Sequence, residues 1–330
     1  MSFRICTIGC GGMATSGHGP SYKKYAELNE GVELTACCDL FEEKAKEFMQ
    51  KFGFVKYYTD IDKMLDTEKP DAVCLVAPVN LTMPLSIRLM EKGYPIIMEK
   101  PPGLDREETL KMINAAKKYN VPNQVAFNRR YAPVIREGYS ILKQFKPEKI
   151  ENIRYDFYRV GRKDADFSTT TIHGIDTVKF LARSDYEYVS FTYQELPNTP
   201  IGNIFLNGRF KSGATFQINF CPASGIVMER ATVSLYSNTV FINVPVLGSV
   251  DAPGKVMHLS NNEIVKEITG YELGEFESMF EYSGFYAENA EFFDCIREGR
   301  RPEGDIRSGL QSVEIADCIR KKLPEYVDAR

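Results

Sequence analysis

The stretch Arg4-Ile5-Cys6-Thr7-Ile8-Gly9-Cys10-Gly11-Gly12-Met13-Ala14 decides the fold. Its first half is a short, largely apolar run of the kind that forms a buried strand. Its second half has the form G-x-G-x-x-A. Gly9 permits a tight turn out of the strand. Gly11 lets backbone N–H groups approach a pyrophosphate with no side chain between. Ala14 is small enough for the next helix to pack closely on the strand. The N-terminus of that helix offers unpaired N–H donors and a partial positive charge to phosphate. A Gly-rich turn alone would be a weak signal. Here it follows a strand at the chain start and opens a β-α-β unit, which makes Gly9, Cys10, Gly11, Gly12 and Met13 a dinucleotide cradle.

Outward from the cradle, apolar runs at 33–38, 72–77, 95–98 and 123–127 alternate with amphipathic stretches. Such runs suit a parallel sheet covered on both faces, and repeated β-α units imply right-handed crossovers and a doubly wound sheet. Helix ends are readable: 42–52 stops at Gly53, Asp60 caps a helix through 65, and 84–92 stops at Gly93. Asp105-x-x-Glu108 is a capping box for a helix reaching about 119. Thr82 reads as the cap of the helix at 84–92. Gly17-His18-Gly19-Pro20 should break or kink the first helix after about a turn and leave His18 on an irregular loop in a structural or surface role. The second run ends at Asp39, whose carboxylate would accept hydrogen bonds from ribose hydroxyls and repel a 2′-phosphate. At about 5 Å and an effective dielectric near 20 the repulsion is about 3 kcal/mol per unit charge, roughly a hundredfold in affinity. With Leu40 next and no Arg at hand, the cofactor is NAD rather than NADP. The structural alternative for Asp39 is capping the following helix.

After about residue 150 the pattern changes. Stretches 151–160, 188–196, 203–220, 226–245 and 255–268 are rich in Val, Ile, Phe, Tyr and Thr, with turns at Lys211-Ser212-Gly213 and Asn261-Asn262. They predict an open, mainly antiparallel sheet. A helix at about 172–182 interrupts them, and helices at about 286–298 and 305–322 close the chain, the last capped by Asp305. The fold class is therefore α/β, an N-terminal Rossmann domain (1–125) followed by an α+β domain (126–330). The helix at 305–322 is expected to pack back on the first domain.

The chain has 330 residues, 43% hydrophobic and 26% charged, with a net charge of −4. No Lys/Arg stripe favours nucleic acid, and no apolar stretch is long enough to span a bilayer. Eight scattered cysteines without a C-x-x-C pair suit a reducing cytoplasm. Three distant histidines give no metal-ligand spacing, so no metal is expected.

The motif Gly93-Tyr94-Pro95-Ile96-Ile97-Met98-Glu99-Lys100-Pro101, placed after the fingerprint, resembles the glucose–fructose oxidoreductase and inositol dehydrogenase (Gfo/Idh/MocA) family. Ala77-Pro78, the segment 124–131, His173-x-x-Asp176 and the closing pattern from Phe292 to Ala316 extend the resemblance over nearly the whole chain. It implies that Lys100 is the principal proton donor and acceptor beside the nicotinamide. A Lys in a dry pocket can lose its proton near neutrality and can stabilise alkoxide character while charged. It further implies cofactor contacts from Asp39, Leu40, Ala77, Pro78, Asn80, Glu99, Lys100 and Asn128, with Glu99 orienting Lys100. The family often pairs its helix His with an Asp four residues earlier. Here His173 is present and Thr169 stands in that place, so His173 either shuttles a proton unaided or only positions substrate. Asp176 reads as structural.

Tyr158, Arg159, Arg162 and Thr169, with Lys100 and His173, are the candidate substrate contacts, suited to a hydroxylated or anionic ligand. The resemblance implies reversible hydride transfer between NAD and a secondary hydroxyl or ketone of a sugar, nucleotide sugar or cyclitol, by a homodimer or homotetramer. Two alternatives stay open: an NAD-dependent glycoside hydrolase using transient hydride transfer, and a non-enzymatic NAD-binding sensor or regulator.

Overall fold

The computed structural model describes residues 2–164, 166–274, 276 and 278–330. The chain forms two compact units: residues 1–128 with 285–313, and residues 129–284 with 314–330. In chain order the first comprises β1 (Phe3–Ile8), α1 (Gly19–Leu28), β2 (Val32–Cys38), α2 (Glu42–Phe52), β3 (Lys56–Tyr58), α3 (Ile61–Glu68), β4 (Ala72–Leu75), α4 (Val79–Glu91), β5 (Ile96–Glu99), α5 (Arg106–Lys118) and β6 (Asn123–Ala126). Its six-stranded sheet has the order β3-β2-β1-β4-β5-β6 and is parallel throughout. The order reverses between β1 and β4, and the crevice outside the carboxyl ends of such strands is where open α/β sheets bind ligands. Strands β4 and β6 are buried along their whole length, which explains their lack of polar alternation.

Local chemistry sets the helix ends. α2 stops at Gly53, whose φ of 81° is the left-handed conformation glycine adopts cheaply, and its N–H donates to the Met49 carbonyl. Asp60 accepts from the Lys63 N–H at 2.9 Å and starts α3. Asp105 accepts from the Glu108 N–H, as the capping box requires. The Glu108 carboxylate, however, takes the Leu104 N–H, one residue before the cap.

Two local expectations fail. The first helix is not broken at Gly17. Residues Ala14–His18 form a π turn closed by the Gly19 N–H on the Ala14 carbonyl, and α1 continues directly, with Pro20 in its first turn where no N–H is needed. Gly17 and Gly19 are there for packing. A Cβ at Gly17 would lie 2.8 Å from the Phe285 ring, and one at Gly19 would lie 2.5 Å from the Phe52 ring. Likewise α4 begins at Val79, not at 84. Pro84 lies inside it, and Thr82 is buried with its hydroxyl on the Pro78 carbonyl, so Thr82 caps nothing.

The second unit contains α6 (Pro133–Leu142), β7 (Ile150–Tyr158), α7 (Ser168–Ala182), β8 (Tyr186–Glu195), β9 (Gly202–Phe210), β10 (Thr215–Cys221), β11 (Met228–Leu235), β12 (Asn238–Val244), β13 (Lys255–Ser260), β14 (Glu263–Thr269) and the short α8 (Gly270–Leu273) and α9 (Met279–Tyr282). After α10 (Phe285–Arg297) and α11 (Ile306–Arg320), β15 (Glu325–Val327) completes a nine-stranded sheet of order β14-β13-β12-β11-β7-β10-β9-β8-β15. It is mixed: β7 and β10 run parallel, and the remaining pairs are antiparallel. Helices α6 and α7 lie against it at glycines. A Cβ at Gly138 would come within 2.3 Å of Ile242, and one at Gly174 within 2.8 Å of Phe220.

The sequence reading gave 126–330 as the second domain with the helix at about 305–322 packing back on the first; residues 285–313 form part of the first compact unit. The reason is aromatic packing. Phe292 and Phe293 of α10 are fully buried, and the Phe293 ring stands 5.0 Å from Tyr25, 6.0 Å from Tyr22 and 6.2 Å from Phe3. Removing such a ring leaves a cavity ringed by stiff aromatics that cannot collapse. Phe293→Ala should therefore destabilise the first unit by about 3–5 kcal/mol, measured as a lower urea midpoint. A change within about 0.5 kcal/mol would contradict this packing.

Candidate cofactor and catalytic site

Gly9 has φ +96°, and a Cβ there would lie 2.1 Å from the Val76 carbonyl oxygen, so no other residue fits. Its N–H donates to the Cys38 carbonyl at 2.8 Å. At Gly11 and Gly12 an added Cβ would meet nothing within 4 Å. The two glycines thus leave open space beside their backbone, which is what a phosphate approaching main-chain N–H groups needs. Cys10 turns its side chain into the core, and Met13 stays largely exposed.

Asp39, just past β2, faces this loop. Its Oδ2 accepts from the Cys10 N–H at 2.8 Å and its Oδ1 from the Phe41 N–H at 2.9 Å. It makes no N-cap for α2, where Phe41 holds that position. Each carboxylate oxygen keeps acceptor capacity for a hydroxyl. Leu40 is exposed beside it. Ala77 and Pro78 follow β4, with Pro78 at the N-cap of α4 and Asn80 exposed in its first turn. Asn128 is buried in the 3-10 turn Asn128–Tyr131 after β6. The structure thus gathers these residues at the carboxyl ends of β1, β2, β4, β5 and β6.

Glu99 ends β5 and Lys100 follows it. The Glu99 Oε1 lies 2.9 Å from His18 Nε2, and its Oε2 accepts the Lys100 N–H at 3.1 Å. Burial pushes this carboxyl up, but the His18 hydrogen bond and the charge of Lys100 outweigh it, so Glu99 sits below the ordinary carboxylate range. His18 was missed because its Gly- and Pro-rich surroundings read as a loop. In the structure it is 2% exposed.

In the second unit, His173 and Asp176 are buried on α7. Asp176 receives Arg130 bidentately at 2.5 and 2.6 Å, which gives it the structural role expected of it. Thr169 is the second residue of α7. Arg159 is committed. It pairs with Glu229, donates to the Tyr158 carbonyl at 2.8 Å and lies 3.8 Å over the Phe157 ring. Arg162 makes a fork to Asp164 at 2.8 and 3.1 Å. The Tyr158 hydroxyl lies 3.4 Å from Asp156 Oδ1. Sequence reasoning did not find Glu229. It is fully buried in β11, with Arg129 at 2.8 and 3.1 Å and the Tyr155 hydroxyl at 2.6 Å. Among the described residues, no group of three His, Cys, Asp or Glu side chains could hold a metal ion, and no helix is long and apolar enough to cross a membrane.

Residues 3–127 match the family described as oxidoreductase family, NAD-binding Rossmann fold. Myo-inositol 2-dehydrogenase of Thermotoga maritima is 26% identical over 345 aligned positions, covering 98% of this chain and 96% of that protein. D-glucoside 3-dehydrogenase of Escherichia coli K12 is 30% identical over 129 residues, 39% of this chain and 36% of its own, so that match spans about a third of the relative's length. Among solved structures, levoglucosan dehydrogenase in complex with NADH and levoglucosan superimposes with a TM-score of 0.83 at 17% identity, covering all of both chains. At that identity the likeness shows the fold.

The Glu229 cluster yields a pH prediction. Burial pushes its carboxyl up, but the Arg129 and Arg159 cations and the Tyr155 hydroxyl hold it at about 2, against an ordinary 4.5. A folded-state value below the unfolded one means that the stabilisation is complete above about pH 4.5 and is lost as pH falls toward 2. Glu229→Gln should therefore be less stable than wild type by about 3 kcal/mol at pH 7, with the gap closing toward pH 2. Urea unfolding across this range checks it, and a gap independent of pH would contradict the cluster.

Proposed function

The chain belongs to the Gfo/Idh/MocA oxidoreductase family, and we propose that it is an NAD-dependent dehydrogenase acting reversibly on a secondary hydroxyl of a sugar, nucleotide sugar or cyclitol. One observation carries the reading. A glycine turn with open space at Gly11 and Gly12 lies in the same unit as Lys100, at the carboxyl edge of the same parallel sheet. The residues present fit a dinucleotide: Gly9 to Met13 for the pyrophosphate, and Asp39 and Leu40 for the adenosine ribose. Ala77, Pro78, Asn80, Glu99 and Asn128 line the way to the nicotinamide. When bound, NAD would supply the two-electron acceptor or donor that no side chain can provide.

The chain's own residues handle the proton. Lys100 takes it from the substrate hydroxyl during oxidation and returns it in the reverse direction. As an ammonium it also favours the alkoxide that forms. Glu99 keeps a negative charge at the base of Lys100. His173 is the second proton-handling group, and Thr169 in place of an acid leaves its imidazole without that carboxylate. Tyr158, Arg159, Arg162 and Thr169 are assigned to substrate. Of these, Arg159 acts through the rigid cluster around Glu229 rather than as a mobile arm.

Asp39 favours NAD over NADP because its charge, fixed by the Cys10 and Phe41 N–H groups, would oppose a 2′-phosphate. The curated names of the relatives, an inositol and a glucoside dehydrogenase, support a polyhydroxylated ring as substrate. The same reading makes the protein a cytoplasmic homodimer or homotetramer.

The test is a panel of sugars and cyclitols followed by NADH absorbance with wild type and Lys100→Met. We expect turnover of at least one polyol, and a loss in kcat of about 100-fold or more in the variant. Equal rates would remove Lys100 from its role. NAD binding with no turnover across the panel would favour a sensor.

A further inference from the structure

Glu99 is a largely buried carboxylate whose negative charge has to be stabilised by directed donors. One is the Lys100 N–H. The other is His18, delivered by the π turn Ala14–His18, in which the Gly19 N–H reaches back five residues to the Ala14 carbonyl. Single π turns of this kind recur where a helix must aim a functional side chain. The His18 ring is held by packing, edge-on to Phe285 at 5.3 Å and beside Tyr22 at 6.0 Å.

The far side of the ring is also fixed. Asn289 Nδ2 donates to the Phe285 carbonyl at 2.7 Å, which assigns the amide orientation because a carbonyl accepts only from the NH2 side. His18 Nδ1 lies 3.1 Å from the same amide nitrogen and 3.4 Å from Asn289 Oδ1, so this amide holds the far edge of the ring. The ring's other nitrogen, Nε2, stands 2.9 Å from Glu99 Oε1, and since a carboxylate oxygen accepts, Nε2 is the donor of that bond. The contacts run in series: the Asn289 amide holds His18, His18 donates to Glu99, and the other Glu99 oxygen accepts the backbone N–H of Lys100.

We propose that His18 is a positioning residue for Lys100: held at one edge by Asn289 and donating from Nε2 at the other, it locks the Glu99 carboxylate against the Lys100 backbone and so fixes the strand end from which the lysine side chain leaves. This rests on the reading of Lys100 as the proton acceptor, and it adds a residue that neither touches substrate nor belongs to the Glu-Lys-Pro motif.

The test has two readouts that need no turnover. In protein labelled with 15N-histidine, with only three histidines to assign, long-range 1H–15N correlation reports the His18 tautomer. A proton on Nε2 is expected, and a ring without one at Nε2 would overturn the proposal. The second readout is the rate at which acetic anhydride acylates Lys100 relative to the exposed Lys117, measured by mass spectrometry. In His18→Leu this ratio should change by about threefold or more, the effect of roughly half a pH unit in amine protonation. It should return toward wild type in His18→Gln, whose amide N–H can serve the same carboxylate. A purely structural ring would give no rescue by Gln, and an unchanged ratio in His18→Leu would likewise sink the proposal. If His18→Leu fails to fold, the tautomer of the wild type and the ratio in His18→Gln against wild type still decide it. Absence of NADH formation by the wild type would count against the dehydrogenase reading instead, and leaves these two readouts standing.

Discussion

The backbone of Gly9 has almost no freedom. Its positive φ and the Val76 carbonyl, within 2.1 Å of where a Cβ would stand, force the chain out of β1 in one direction. The Gly9 N–H then falls on the Cys38 carbonyl and the Cys10 N–H on Asp39, so β1, β2 and β4 meet at one point. Because these neighbours already satisfy Gly9 and Cys10, the next two glycines are left open. The same turn starts the π segment that carries His18 toward Glu99. One backbone constraint thus connects the cofactor cradle to the strand end that bears Lys100, over contacts that are each about 3 Å long.

Much of the first unit was legible in the sequence because its signals are local. Gly53, Asp60 and Asp105 end or begin helices through their own backbone conformation or side-chain oxygens, and the structure has those ends within a residue or so. The hairpin turns at 211–213 and 261–262 were legible for the same reason, since Gly213, Asn261 and Asn262 adopt positive φ. The short β3 and β15 and the helix α6 were not read, having too few residues or too weak a pattern to stand out.

What the sequence hid depends on distant partners. Gly17 and Gly19 look like helix breakers, but the rings of Phe285 and Phe52 occupy the space where side chains would be, and burial overrides their low helix propensity. The assignment of 285–313 to the first unit likewise rests on Phe293 meeting aromatics more than 260 residues earlier in the chain. Glu229 carries no local sign that it is buried among two arginines and a tyrosine. An isolated buried charge is costly, and only its partners, unreadable from spacing, make it tolerable. Arg159 shows the same limit. Its position after a strand suggested a ligand contact, and the structure shows its guanidinium already engaged by protein.

The central claim is that the open backbone at Gly11 exists to receive a pyrophosphate. Calorimetric titration of NAD+ into wild type and Gly11→Ala tests this directly, because a Cβ at that position meets no protein atom within 4 Å and should leave folding intact. The account predicts an unchanged urea midpoint together with a Kd raised about tenfold or more, a loss of about 1.4 kcal/mol. A variant that binds NAD+ as tightly as the wild type, or a wild type that binds none, would contradict it.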